Sequence, residues 1–175
     1  EAIAYAAAVG ARHVHVMAGH AEGPAAEDAF LANLDLACRA AAPLGIGILI
    51  EPLNRHDAPG YFLTTTGQAE ALIDRLGAPN LRLMFDCYHV QRTEGDLTRR
   101  LAALLPKIGH IQFASVPDRG PPDEGEVDYA RVFADIARLG WTSPLGAEYR
   151  PRGATEATLG WLAQMRGTAT PTGER

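Results

Sequence analysis

Four residues have the types and spacing to do chemistry together: Glu51, Asp86, Gln112 and Glu148. Each sits at or near the end of a predicted strand, and they follow one another at intervals of about 25 to 40 residues, one strand-plus-helix unit at a time. Three carboxylates and an amide oxygen form an all-oxygen set, which suits Mg²⁺ or Mn²⁺ better than Zn²⁺. A single polar residue at a strand end is ordinary. Four at one height on successive strands of a barrel would converge over its mouth, and they make a candidate metal centre.

The run Gly45-Ile46-Gly47-Ile48-Leu49-Ile50 shows how such residues are positioned. A segment apolar on both faces belongs inside a parallel sheet, where charge is tolerated only at the lip, so Glu51 is expected at the C-terminal end of that strand. In α/β proteins that lip is where ligands bind. Similar strands are expected over Arg12–Gly19, Leu81–Phe85, His110–Ala114 and Pro144–Tyr149. Helical patterns lie between them: about 25–42, with Phe30, Leu31, Leu34, Ala37, Cys38 and Ala41 on one face; 67–76, capped by Thr65 or Thr66; 94–105; a helix from Asp128 to about Leu139; and 155–165. Cys87-Tyr88-His89 reads as a continuation of the third strand. Five alternations of strand and helix specify an α/β fold with parallel strands, either a doubly wound sheet or part of an eight-stranded barrel.

The bulk composition narrows the function. A net charge of −5 and 21% charged residues fit a globular protein without a nucleic-acid footprint. No run of about 18 apolar residues exists, so no membrane span is expected. Cys38 and Cys87 lack metal-type or disulfide-type spacing and read as buried free thiols of a cytoplasmic protein. Phosphate-binding glycine fingerprints are absent. Residues 1–166 read as a single domain and 167–175 as a flexible tail. Glu1–Gly10 resembles the last turns of a helix ending at a glycine cap, so the chain is expected to begin partway through its architecture.

The segments Ile50-Glu51-Pro52-Leu53-Asn54, Pro59-Gly60-Tyr61-Phe62-Leu63, Asp86-Cys87-Tyr88-His89, Gly109-His110-Ile111-Gln112 and Glu148-Tyr149-Arg150-Pro151, with the later Gly160-Trp161-Leu162, strongly resemble the hydroxypyruvate isomerase family of xylose-isomerase-like TIM barrels. The resemblance covers nearly the whole chain. It implies a partial (β/α)8 barrel comprising the last five βα units, with roughly the first third of the barrel lacking. It also implies a divalent metal, Mg²⁺ or Mn²⁺, held by Glu51, Asp86, Gln112 and Glu148, with Glu51 and Glu148 as the catalytic acid/base pair. Related ketose 3-epimerases carry His where this chain has Gln112; they suggest substrate contacts by His89 and Arg119.

The implied reaction interconverts hydroxypyruvate and 2-hydroxy-3-oxopropanoate through an enediolate. A base on one carbon, an acid on the next and a cation for the oxyanion are required. The substrate is a small anionic 2-oxo acid, so Arg150, two residues past Glu148, or Arg119, in the loop after Gln112, could pair with its carboxylate; both could equally be solvated loop arginines. His89 could meet a substrate oxygen or serve as a capping residue. His13 and His15 read as core or surface histidines, His110 as a buried structural hydrogen-bonding group, and Trp141 and Trp161 as packing residues. The alternatives are another sugar-acid or ketose isomerase or epimerase, such as a 2-oxo-tetronate isomerase, and an inactive fragment. An endonuclease is disfavoured by the acidic charge and by too few histidine ligands for a multi-zinc site, and a homo-oligomer is left open.

Overall fold

The computed structural model describes residues 1–167; the expected tail lies, from residue 168, outside the described residues. Five strands, β1 His13–His15, β2 Gly47–Ile50, β3 Leu81–Asp86, β4 Ile108–Phe113 and β5 Leu145–Ala147, form one sheet in the order β1-β2-β3-β4-β5 with all pairings parallel. Each strand therefore lies beside its sequence neighbour. A doubly wound sheet reverses its strand order at a switch point, whereas a barrel does not. The sheet is a five-stranded arc of a TIM barrel.

The helices are α1 Ala2–Ala8, α2 Pro24–Ala41, α3 Thr66–Leu76, α4 Cys87–Thr93, α5 Leu97–Leu104, α6 Tyr129–Arg138 and α7 Gly160–Gly167. Their limits follow local chemistry. Thr65 caps α3 by accepting from the Gln68 amide, and Gly77, in the left-handed conformation, closes it. Asp128 caps α6 by accepting from the Arg131 amide. On α2 the buried residues are Phe30, Leu31, Leu34, Cys38 and Ala41, one stripe at helical spacing, while Ala37 is half-buried. This stripe packs with Ile48, Ile50, Leu83, Phe85 and Ile111 into the main core between helices and sheet. Cys38 and Cys87 are buried free thiols. Trp161 is buried edge-on against Phe113, with ring centroids 5.6 Å apart.

Three local expectations are corrected. Residues after Asp86 do not continue β3: α4 starts at Cys87, with Asp86 as its N-cap. The helix expected from Glu94 begins only at Leu97, because Gly95 and Asp96 both adopt positive φ. His110 is half-buried on the sheet's inner face, where its ring lies over Gly146, instead of in the buried structural role expected of it.

One irregularity matters for the site. Leu83 pairs with Ile108 but Met84 pairs with His110, so Gly109 is an extra residue in β4. A Cβ at Gly109 would lie 2.7 Å from both Arg82 Cβ and Leu49 Cδ2, which explains the glycine. Beyond the bulge Asp86 pairs with Gln112. Without it, Asp86 would face Ile111, and Gln112 would point to the opposite side of the sheet at that level.

Candidate metal-dependent active site

The inner face at the C-terminal ends of the strands opens into a cavity of about 340 Å³ that contains Glu51, Gln112, Glu148, His89, Arg119 and Arg150 in its wall. Glu51 follows β2 directly and is buried. Asp86 ends β3, 1% exposed, and divides its two oxygens between tasks: Oδ1 accepts the Tyr88 amide at 2.9 Å, capping α4, while Oδ2 has no hydrogen-bond partner. Gln112, brought alongside by the bulge, also leaves its buried Oε1 unpartnered, as does Glu51 with its Oε1.

These orphaned oxygens are the main physical feature of the site. A buried acceptor without a donor costs about 1–3 kcal/mol, and more when charged, so native proteins leave few of them. Here three come together, two of them on carboxylates. Burial, followed by the nearby Asp86 and Glu148 carboxylates, pushes the Glu51 carboxyl up from 4.5 to about 8, against the pull of Arg119. Burial likewise raises Asp86 from 3.8 to about 7, opposed by the Tyr88 amide and Arg119. For both acids the guanidinium of Arg119 only partly offsets the loss of solvation. A hard divalent cation would satisfy these oxygens, and the donor set fits one.

Glu148 differs from the other three. It lies past β5 at the rim, its side chain half exposed, and pairs with Arg119 at 2.8 Å. The Arg119 guanidinium also approaches Asp86 Oδ2 at 3.7 Å and lies 5.1 Å from the centroid of the Tyr88 ring, a cation–π contact. Arg119 has φ 55° and its carbonyl accepts the Arg150 amide at 2.7 Å, which ties the loop after β4 to the end of β5. Arg150 itself is exposed at the rim.

His89, on the first turns of α4, is 2% exposed. Its Nε2 lies 3.7 Å from Asp86 Oδ2 and makes no hydrogen bond. Glu51, Asp86 and His89 each bring one candidate ligand atom within 4.8 Å of one another. Burial, reinforced by Arg119, lowers the His89 imidazole to about 4, so the ring is neutral.

Sequence reasoning missed His15. Its Nε2 is 3.7 Å from Glu51 Oε2, is unpartnered, and faces the same cavity, while burial lowers its pKa. His13, two residues earlier on the same face, lies lower in the arc with Leu49 and His110. The only sequence signal was the alternation of His13 and His15, which gives a common face without giving its height.

Comparison with known proteins extends this picture. Over 170 residues the chain is 44% identical to the 2-oxo-tetronate isomerase of Cupriavidus necator, covering 95% of this chain and 65% of that protein. Over 169 residues it is 39% identical to the hydroxypyruvate isomerase of Escherichia coli, covering 94% and 66%. The crystal structure of an AP endonuclease, family 2, from Brucella melitensis superposes with a TM-score of 0.90 at 42% identity, covering 93% of this chain and 64% of that one. The chain thus spans slightly less than two thirds of the length of these relatives. The xylose isomerase-like TIM barrel family matches residues 1–165, and the chain belongs to that family.

Proposed function

We propose that this chain carries the active site of a metal-dependent sugar-acid isomerase that interconverts hydroxypyruvate and 2-hydroxy-3-oxopropanoate. The observation that carries the reading is the set of unpartnered buried oxygens of Glu51, Asp86 and Gln112 beside a cavity whose wall includes Glu51, Gln112 and Glu148. Glu51, Asp86, Gln112 and Glu148 would hold a Mg²⁺ or Mn²⁺ ion, which when bound supplies Lewis-acid stabilisation to the substrate oxygens. The rest is done by the chain itself. One of the two glutamates, Glu51 or Glu148, takes a proton from the carbon bearing the hydroxyl; the resulting enediolate is protonated by the other on the adjacent carbon, while the hydroxyl proton passes from the first oxygen to the second, so that hydroxyl and carbonyl exchange places with no net gain or loss of protons. Glu51, buried at the end of β2, and Glu148, half exposed at the rim and paired with a guanidinium, approach the cavity from different strands, one enclosed and one open. Arg119 and Arg150 supply positive charge for the substrate carboxylate, and His89 meets a substrate oxygen. The net charge of −5 argues against a nucleic-acid substrate.

A second reading is favoured by a specific observation: 44% identity to a 2-oxo-tetronate isomerase. The two substrates share a 2-oxo acid end and differ in length. The test is a panel of hydroxypyruvate, 2-oxo-tetronate and free ketoses, run with and without chelator on wild type and on Glu51→Gln and Glu148→Gln. Both substitutions are expected to abolish turnover with the fold unchanged by circular dichroism. Retained activity in either variant overturns the assignment, and the preferred acid distinguishes the two readings.

A further inference from the structure

His89 is close enough to Glu51 and Asp86 to be counted as a third ligand, but its hydrogen bonds say otherwise. Its Nδ1 faces two nitrogens of one residue: the Asn54 backbone amide at 3.0 Å and the Asn54 side-chain Nδ2 at 2.7 Å. The backbone amide can only donate. The orientation of the Asn54 carboxamide is fixed independently, because its Oδ1 accepts from the His56 and Asp57 amides at 3.1 and 3.0 Å, and its Nδ2 donates to Asp57 Oδ2 at 3.1 Å. Asn54 is 0% exposed, so no water competes for these bonds. Nδ1 therefore accepts two hydrogen bonds and carries no proton. A neutral imidazole has one N–H, and here it must lie on Nε2, which points unpartnered into the cavity.

We propose that Asn54 is a positioning residue that locks His89 in the Nε2–H tautomer, so that His89 enters the site as a hydrogen-bond donor to a substrate oxygen and not as a metal ligand. A ligating Nε2 needs a free lone pair, and metal-binding histidines donate their other ring N–H to an acceptor. Here the other nitrogen meets two donors, the reverse arrangement. The Nε2–H is instead suited to a carbonyl oxygen that gains negative charge as an enediolate forms. The substrate role rests on the isomerase reading above, whereas the tautomer does not.

The test is long-range ¹H–¹⁵N NMR of the histidine-labelled chain at neutral pH, with and without Mg²⁺. The expected result is a pyrrole-like Nε2 and a pyridine-like Nδ1 for His89, both retained when Mg²⁺ is added. A pyridine-like Nε2, or loss of its proton on adding Mg²⁺, overturns the proposal. Asn54→Asp keeps the turn-forming oxygen and the backbone amide but replaces the side-chain donor, 2.7 Å from His89 Nδ1, with a carboxylate oxygen that accepts, so Nδ1 is expected to become protonated towards that carboxylate; an unchanged pyridine-like Nδ1 in a folded variant overturns the role of the Asn54 side chain. Should that variant not fold, the wild-type Mg²⁺ titration decides alone. In a wild type that turns over hydroxypyruvate, Asn54→Asp is expected to lower kcat roughly tenfold or more while Mg²⁺ affinity stays within about twofold. A tenfold weaker Mg²⁺ affinity would place His89 among the ligands. A wild type with the stated tautomer but no turnover of any 2-oxo acid sinks the isomerase reading and leaves the tautomer standing.

Discussion

Removing divalent metal and raising the pH should destabilise this protein, and the carboxyls of the site set the size of the effect. Glu51 moves from 4.5 to about 8 and Asp86 from 3.8 to about 7 on folding, burial being the largest cause for both. A carboxyl whose pKa is raised by folding binds its proton more tightly in the native state. Its contribution is fully present below the unfolded value and is lost as pH rises through the folded value. His15 and His89 act in the opposite sense, since burial lowers their pKa values; their contribution is complete above 6.5 and is lost as pH falls. Between pH 6.5 and 8.5 the histidines are therefore silent and the carboxyls decide. Over that window the two acids together should cost about 2–3 kcal/mol in chelator. For a chain of this size that is a fall in Tm of about 5–10 °C. A bound cation replaces the protons, so a fixed Mg²⁺ concentration about a hundredfold above the Kd at pH 6.5 should restore about 2.7 kcal/mol there, and more at pH 8.5, where fewer protons compete and the Kd is lower. Differential scanning fluorimetry with EDTA or Mg²⁺ at both pH values measures this directly. A chelated protein whose Tm is flat or rises over the window, or a Mg²⁺ stabilisation equal at both, would refute the reasoning.

Further outcomes follow from the same geometry. Gly109→Ala should destabilise by about 1–3 kcal/mol through overpacking against Arg82 and Leu49, and should weaken Mg²⁺ binding because the bulge aligns Gln112 with Asp86; denaturant melts and calorimetric Mg²⁺ titration measure the two effects. Leu34→Ala, at a fully buried position of α2, should cost about 2–5 kcal/mol without changing Mg²⁺ affinity, as read by urea denaturation beside the same titration.

Much of this arrangement was legible in the sequence for a simple reason. Glu51, Asp86 and Glu148 end apolar segments, and a charge there has only the lip of the sheet to occupy. The parallel strand succession followed from the alternation of segments, and the caps at Thr65 and Asp128 from side chains able to accept an amide hydrogen. What stayed hidden depends on tertiary register or on short-range ambiguity. Helix α4 starts with no turn residue between it and β3, and Cys87-Tyr88-His89-Val90 is apolar enough to pass for strand. Gly109, just before the strand expected from His110, is a bulge that only the pairing of β3 with β4 defines. The pairing of Arg119 with Glu148 spans two loops and leaves no local pattern. His15 reaches the site because β1 stands beside β2, a relation absent from its own segment.

The division of labour within Asp86 has a consequence for which substitutions the chain can tolerate. One oxygen holds the first turn of α4 and the other lies buried and without a hydrogen bond, 3.7 Å from both His89 and Arg119. That turn carries both Tyr88, the ring beneath Arg119, and His89. Architecture and chemistry thus hang on a single side chain of fixed length. Asn could still cap the helix while giving up the charge; Glu would keep the charge but displace the cap; Ala would lose both and loosen three neighbours along with itself. Drift at this position is blocked from two directions, and were the charge no longer needed the fold alone would leave open only a residue that still caps α4, such as Asn.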